Sequence, residues 1–176
     1  MPTTVMGNLA SHEALALRWA EVINDPTLRD LPYKIELNNF GKIEMSPANN
    51  RHARLQGEIA YELRRQLTGG GVLTESPIAT ELGVSVPDVA WASNEFLDKH
   101  GETTPFGEAP DICVEIRSPS NSKEEITLKT RAYLSAGARE VWIVSEDAEL
   151  SVFDASGQRA ASSYVVTLNL PPRAKR

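Results

Sequence analysis

Three acidic residues stand where strands are expected: Asp88 in "VPDVAW", and Asp111 and Glu115 in "APDICVEIRSPS". Alternation along the second stretch puts Asp111, Cys113, Glu115 and Arg117 on one face and Ile112, Val114 and Ile116 on the other. An unpaired carboxylate in a core strand is costly or shifts its pKa until it protonates, so it normally faces a cation, a metal or several donors. Converging carboxylates repel unless a hard cation sits between them. Mg²⁺ suits such a place, because one or two carboxylates, waters and substrate phosphate oxygens complete its shell.

Asp111 and Glu115 lie four residues apart, roughly 13 Å along a strand, too far to ligate one ion together. Asp88 with Glu115 is the better pair, and Asp111 is expected to cap or bond the start of its strand. Phosphodiester hydrolysis also needs a cation to offset charge building on the phosphate and to orient the attacking water. Arg117 can stabilise charge but is a poor base, since guanidinium stays protonated. Lys129 is the other candidate, aimed back from a helix packed on the sheet. Its ordinary alternative is a surface pair with Glu125, four positions before it. His52 and Glu58, on an earlier helix, either complete the site or serve packing and solvation. The acids also admit a structural reading, in which they pair with Arg117 in a salt-bridge network.

The elements that must position these groups follow from periodicity. "SHEALALRWAEVINDP" predicts a helix capped by Ser11, with Leu15, Trp19, Val22 and Ile23 on one face and Pro26 ending it. "YKIELNNFGKIEMSP" predicts a hairpin turning at Gly41. In "NRHARLQGEIAYELRRQL" the apolar residues Leu55, Ile59, Leu63 and Leu67 recur every four positions, and the glycines at 69 to 71 stop the helix. Short extended pieces follow, then a short helix at "NEFLDKHG". Strand 111–117, helix 122–136 and strand 140–145 form a βαβ crossover. The expectation is one α/β sheet with helices on two faces, with "ELSVFDASGQ" pairing as a hairpin beyond it.

At 176 residues, 41% hydrophobic and 24% charged, the chain is expected to fold as a single domain over 1–176, with an N-terminal helix in 1–30 and a flexible tail at 171–176. The single Cys113 is expected to be a buried thiol. No run of apolar residues predicts a membrane span, and the N-terminus lacks the pattern of a signal peptide, so a cytoplasmic location is expected. The net charge of −6 disfavours a non-specific DNA coat. Local cations, namely Arg51, Arg54, Arg64, Arg65 and the tail "RAKR", remain able to meet phosphates.

Taken together, "VPDVAW", "APDICVEIRSPS", "EEITLKTRAYLSAGAREVWIV" and the earlier "IELNNFGKIEMSPANNRHARL" resemble the Uma-type restriction endonucleases of the PD-(D/E)XK nuclease superfamily. The resemblance spans roughly residues 33 to 155. It implies a restriction-endonuclease-like central mixed β-sheet flanked by helices, and Mg²⁺-dependent DNA cleavage, with Mn²⁺ as a substitute. By that pattern Asp88 and Glu115 ligate the metal. Position 117, lysine in the superfamily, is arginine here, and Lys129 matches a helix lysine of the family. Glu125 stands where the family often has aspartate. The expected partner is DNA, with a homodimer suited to double-strand cutting. Asp88→Ala is expected to abolish cleavage and leave the fold intact, because it removes one of two repelling charges. The alternatives are a catalytically inactive DNA-binding or regulatory module of the same fold and, more distantly, an interaction scaffold.

Overall fold

The computed structural model describes residues 10–174. Helix α1 (His12–Asn24) starts where the Ser11 hydroxyl accepts from the Ala14 N–H, and Leu15, Trp19 and Val22 are its buried residues. Ile23, expected on that face, is 53% exposed. Strands β1 (Tyr33–Asn38) and β2 (Ile43–Pro47) form the expected hairpin, with Leu37 opposite Ile43 and Gly41 at φ +72°. Helix α2 (Asn50–Gln66) is capped by the Asn49 side chain, which accepts from the Arg51 and His52 N–H groups.

The glycine run after α2 does more than stop it. Strand β3 (Gly70–Thr74) begins inside the run. A Cβ on Gly70 would sit 2.2 Å from the Ala92 carbonyl oxygen, so only glycine lets β3 lie this close to β6 (Val89–Ser93). Between them come β4 (Ile78–Thr80) and β5 (Gly83–Ser85). Helix α3 (Asn94–His100), β7 (Ile112–Arg117), α4 (Lys123–Ser135), β8 (Glu140–Ser145), β9 (Leu150–Asp154) and β10 (Gly157–Arg159) complete the order.

The architecture is mixed α/β, with a central six-stranded sheet in the order β10-β9-β8-β7-β6-β3 and helices against it. Its one parallel pair among the described residues is β7 with β8, the pair that α4 joins. The expectation of one sheet is corrected in one respect. The hairpin does not extend the central sheet but belongs to a second sheet, β2-β1-β5-β4. The reason lies in β5: β1 pairs with it through Leu37 opposite Val84, and Gly83 permits the Leu37 carbonyl to approach where a side chain would stand. Leu37, Val84 and Val86 then pack with Leu15, Trp19 and Val22 of α1 in a core of their own.

Strand β7 separates the remaining core as its alternation foretells. Ile112, Val114 and Ile116 join Leu55, Ile59 and Leu63 of α2, whereas Cys113 joins Tyr133 of α4. Cys113 is fully buried, and burial pushes its thiol well above the usual value, which makes it a packing residue. The chain end lies along the α2 side: Leu168 and Leu170 pack on that core. The start of the expected flexible tail is held there too, since the Pro171 carbonyl accepts from the Arg51 guanidinium at 2.9 Å and Arg173 pairs with Glu146 at 3.2 Å. Residues 175 and 176 of that tail, and 1–9 of the N-terminal segment, lie outside the described residues.

Glu140, 3% exposed at the start of β8, fastens this end of the chain. It accepts from the Trp142 indole at 2.7 Å and from the Ser162 hydroxyl at 2.6 Å, and both the N–H and hydroxyl of Ser163 donate to its other oxygen. Burial pushes its carboxyl up, but these hydrogen bonds outweigh burial and hold it below the ordinary value of 4.5. A depressed folded value means stabilisation that is present above 4.5 and lost as pH falls through the folded value. Glu140→Gln is therefore expected to lower stability by about 1–3 kcal/mol at neutral pH. That gap narrows under acid; urea melts of both proteins at pH 7 and pH 3 measure it.

Candidate active site

Asp88 sits just before β6, following Pro87, and is only 1% exposed. Its own N–H donates to the Val114 carbonyl at 3.0 Å, and its Oδ2 accepts from the Ile116 N–H at 2.7 Å. These two bonds bracket Glu115, so the antiparallel pairing that aligns Val89 with Val114 carries Asp88 alongside Glu115. Two carboxylates far apart in sequence thus lie side by side at the neighbouring interior strands β6 and β7 of the central sheet. Both line a cavity of about 530 Å³ with Lys34, Glu36, His52 and Lys129.

Acids and bases alternate through this cavity. Lys34 Nζ lies 2.8 Å and His52 Nε2 3.0 Å from Asp88 Oδ1. Lys129 Nζ lies 3.0 Å from Glu36 Oε2 and 3.4 Å from Glu115 Oε1, and the Tyr133 hydroxyl donates to Glu115 Oε1 at 2.6 Å. Glu36 itself is fixed by the Val86 N–H at 2.7 Å. Burial alone would raise the Asp88 carboxyl, but the His52 hydrogen bond and the Lys34 charge hold it well below the usual range. For Glu115 burial wins over Lys129 and Lys34, and its carboxyl lies above the usual value. Burial would lower Lys129, yet Glu115 and Glu36 push its ammonium above the ordinary value. Lys129 is accordingly a fixed positive charge and not a base.

The structure brings together Asp88, Glu115 and Lys129, and adds His52. It does not bring in Arg117. That side chain shares the alternation phase of Glu115 but makes no hydrogen bond or ion pair among the described residues and does not line the cavity. The face it was expected to serve is filled by Lys129 and Tyr133 of α4 and by Lys34 of β1. The salt-bridge network is real, but its cations are the two lysines. Glu58 lies on α2 outside the cavity lining. Glu125 lines the cavity and accepts from Asn121 Nδ2 at 2.9 Å; the surface pair with Lys129 does not form, because Lys129 turns inward. Asp111 bonds the start of its strand, accepting from the Ser93 N–H at 2.7 Å and pairing with Arg139 at 3.2 Å. Among the surface cations, Arg51 is engaged by the Glu146 carbonyl and Arg65 by Glu62.

Lys34, Glu36 and Tyr133 escape the sequence reading. The signal for the first two is the one that exposed Glu115: two charges on one face of "YKIELN", a strand whose other face carries Ile35 and Leu37. Tyr133 follows Lys129 by one helical turn and so shares its face.

A divalent ion would meet two carboxylates here, since no group of three or more His, Cys, Asp or Glu side chains is arranged to hold a metal among the described residues. Two suffice for Mg²⁺. Glu115 Oε2 accepts from no described residue, its other oxygen taking both Tyr133 and Lys129, and Asp88 Oδ2 accepts only the Ile116 N–H. Each carboxylate thus keeps an oxygen with coordinating capacity, and the site fits the ion.

The family model "Uma2: Putative restriction endonuclease" matches residues 25–173. The chain belongs to the Uma2 family. The match contains every residue of the cavity and begins after α1. Among solved structures, the fold is similar to that of "a putative nuclease belonging to DUF820 from Anabaena variabilis ATCC 29413", with a TM-score of 0.56, 21% identity, and coverage of 65% of this chain and 68% of that one. No curated protein matches the chain. Among the described residues no helix is long and apolar enough to cross a membrane.

Proposed function

We propose that this Uma2-family chain is a Mg²⁺-dependent DNA endonuclease of the PD-(D/E)XK type, hydrolysing phosphodiester bonds at the cavity of Asp88 and Glu115. The observation that carries the reading is the pairing of two buried carboxylates, each with an oxygen left for a metal, beside a lysine whose charge is locked in place. Mg²⁺, when bound, supplies Lewis-acid polarisation of the phosphate and a more acidic water. The protein does the rest. Asp88 and Glu115 hold the ion, and Mn²⁺ serves in its place. Lys129, oriented by Glu36, offsets the negative charge that builds on the phosphate. Lys34 and His52 compensate Asp88 and keep the acids folded together before an ion arrives. Two copies facing a duplex, in the cytoplasm, would cut both strands.

One observation favours a second reading, a catalytically inactive DNA-binding module: the lysines already neutralise the acids, so the fold does not need a metal. Nicking of supercoiled plasmid in millimolar Mg²⁺ separates the two. The nuclease reading predicts conversion by the wild type and a loss of about a hundredfold or more in Glu115→Gln. A folded wild type that leaves the plasmid intact in both Mg²⁺ and Mn²⁺ supports the inactive module.

A further inference from the structure

A second depression opens beside the first. It has a volume of about 370 Å³, within the range of small-ligand sites, and shares Tyr33, Lys34 and Glu75 with the candidate active-site cavity. Its apolar surface comes from α1 and β1, through Trp19, Val22 and Ile35 among others. Three of the chain's exposed large apolar residues line it: Ile23, Leu31 and Tyr33, the last 44% exposed. Exposed apolar groups gathered around one concave site mark a binding surface, where scattered ones would not. Charge is arranged about it as well. Arg29, exposed among its lining residues, is a cation suited to a phosphate backbone, and Lys34, paired with Asp88, stands on the wall shared with the first cavity.

We propose that this groove is a nucleobase subsite, which takes one unstacked base of the DNA whose scissile phosphate lies in the neighbouring cavity, with Tyr33 as the stacking platform. The proposal rests on the nuclease reading and deepens it. Continuity decides the occupant: a strand whose phosphate enters the first cavity has its next base within reach of the other, because Lys34 and Tyr33 line both. Aromatic stacking accepts any base, so the subsite grips the strand without reading sequence.

The test compares affinity for a labelled thymidine oligonucleotide with affinity for an abasic oligomer of the same length, by fluorescence anisotropy in a Ca²⁺ buffer. Wild type and Tyr33→Phe are expected to prefer the base-bearing strand by about tenfold, the effect of one stacked base. Tyr33→Leu is expected to erase that preference while keeping the abasic affinity and the melting temperature. A Tyr33→Leu loss that is equal on both probes, or absent on both, overturns the proposal. So does a dimer that dissociates in Tyr33→Leu with the preference unchanged, since the groove then seats a second copy. A wild type that cuts DNA yet shows no preference removes the subsite alone, whereas one that neither binds nor cuts removes the nuclease reading beneath it.

Discussion

Asp88→Ala is expected to lower stability in EDTA by about 3–5 kcal/mol, the cost of breaking a buried ion pair from one side. The carboxylate is 1% exposed and receives the Ile116 N–H, the Lys34 ammonium and the His52 imidazole. Removing it strands a buried ammonium and a buried backbone donor together. Two facing acids with nothing between them would give the opposite sign, because deleting one would relieve repulsion. That was the basis for expecting an intact fold, and the lysines overturn it. Chemical denaturation in EDTA measures the effect, with Asp88→Asn as a milder companion that keeps one acceptor for Ile116. A fall of less than about 1 kcal/mol would mean that Lys34 and His52 readily find solvent.

Lys129→Met is expected to reduce cleavage about 10²- to 10³-fold, the usual loss when one preorganised charge-stabilising group is removed. Methionine keeps much of the apolar stem in its place between α4 and β1. The ammonium is held by Glu36 at 3.0 Å and Glu115 at 3.4 Å, and its raised pKa keeps it charged throughout the neutral range. Single-turnover rates with saturating DNA check this, because they separate the charge effect from binding. Equal rates for Lys129→Met and wild type would assign the lysine to ion pairing alone. Arg117→Met, a substitution outside the cavity, is expected to leave the single-turnover rate within about threefold of wild type.

What could be read from the sequence divides along a physical line. The two faces of β7 were legible because alternation is a local property, and both cores obey it. The crossover through α4 was legible because handedness and length leave few choices. Pairing of short strands was not. The three-residue β4 and β5 carry too little pattern to announce that they pair with each other and that β5 claims β1, so a second sheet came as a correction. Asp88 and Glu115 stood out because buried acids are costly, yet their compensating cations did not. Lys129 had an equally good helical partner in Glu125, and only tertiary packing turns it toward Glu36 and Glu115. Lys34 and Glu36 were hidden on a strand whose position over the site depends on that second sheet. Arg117 shows the converse failure, since sharing a strand phase with Glu115 did not give it a place in a face already occupied.

The claim that Asp88 and Glu115 jointly hold a divalent ion is tested most directly by a crystal structure of the chain soaked in Mn²⁺, read by anomalous scattering. The expected result is one peak about 2.0–2.4 Å from an oxygen of each carboxylate, with Lys34 drawn back from Asp88. A crystal at high Mn²⁺ with no peak between them, and with Lys34 still bonded to Asp88, would contradict the account.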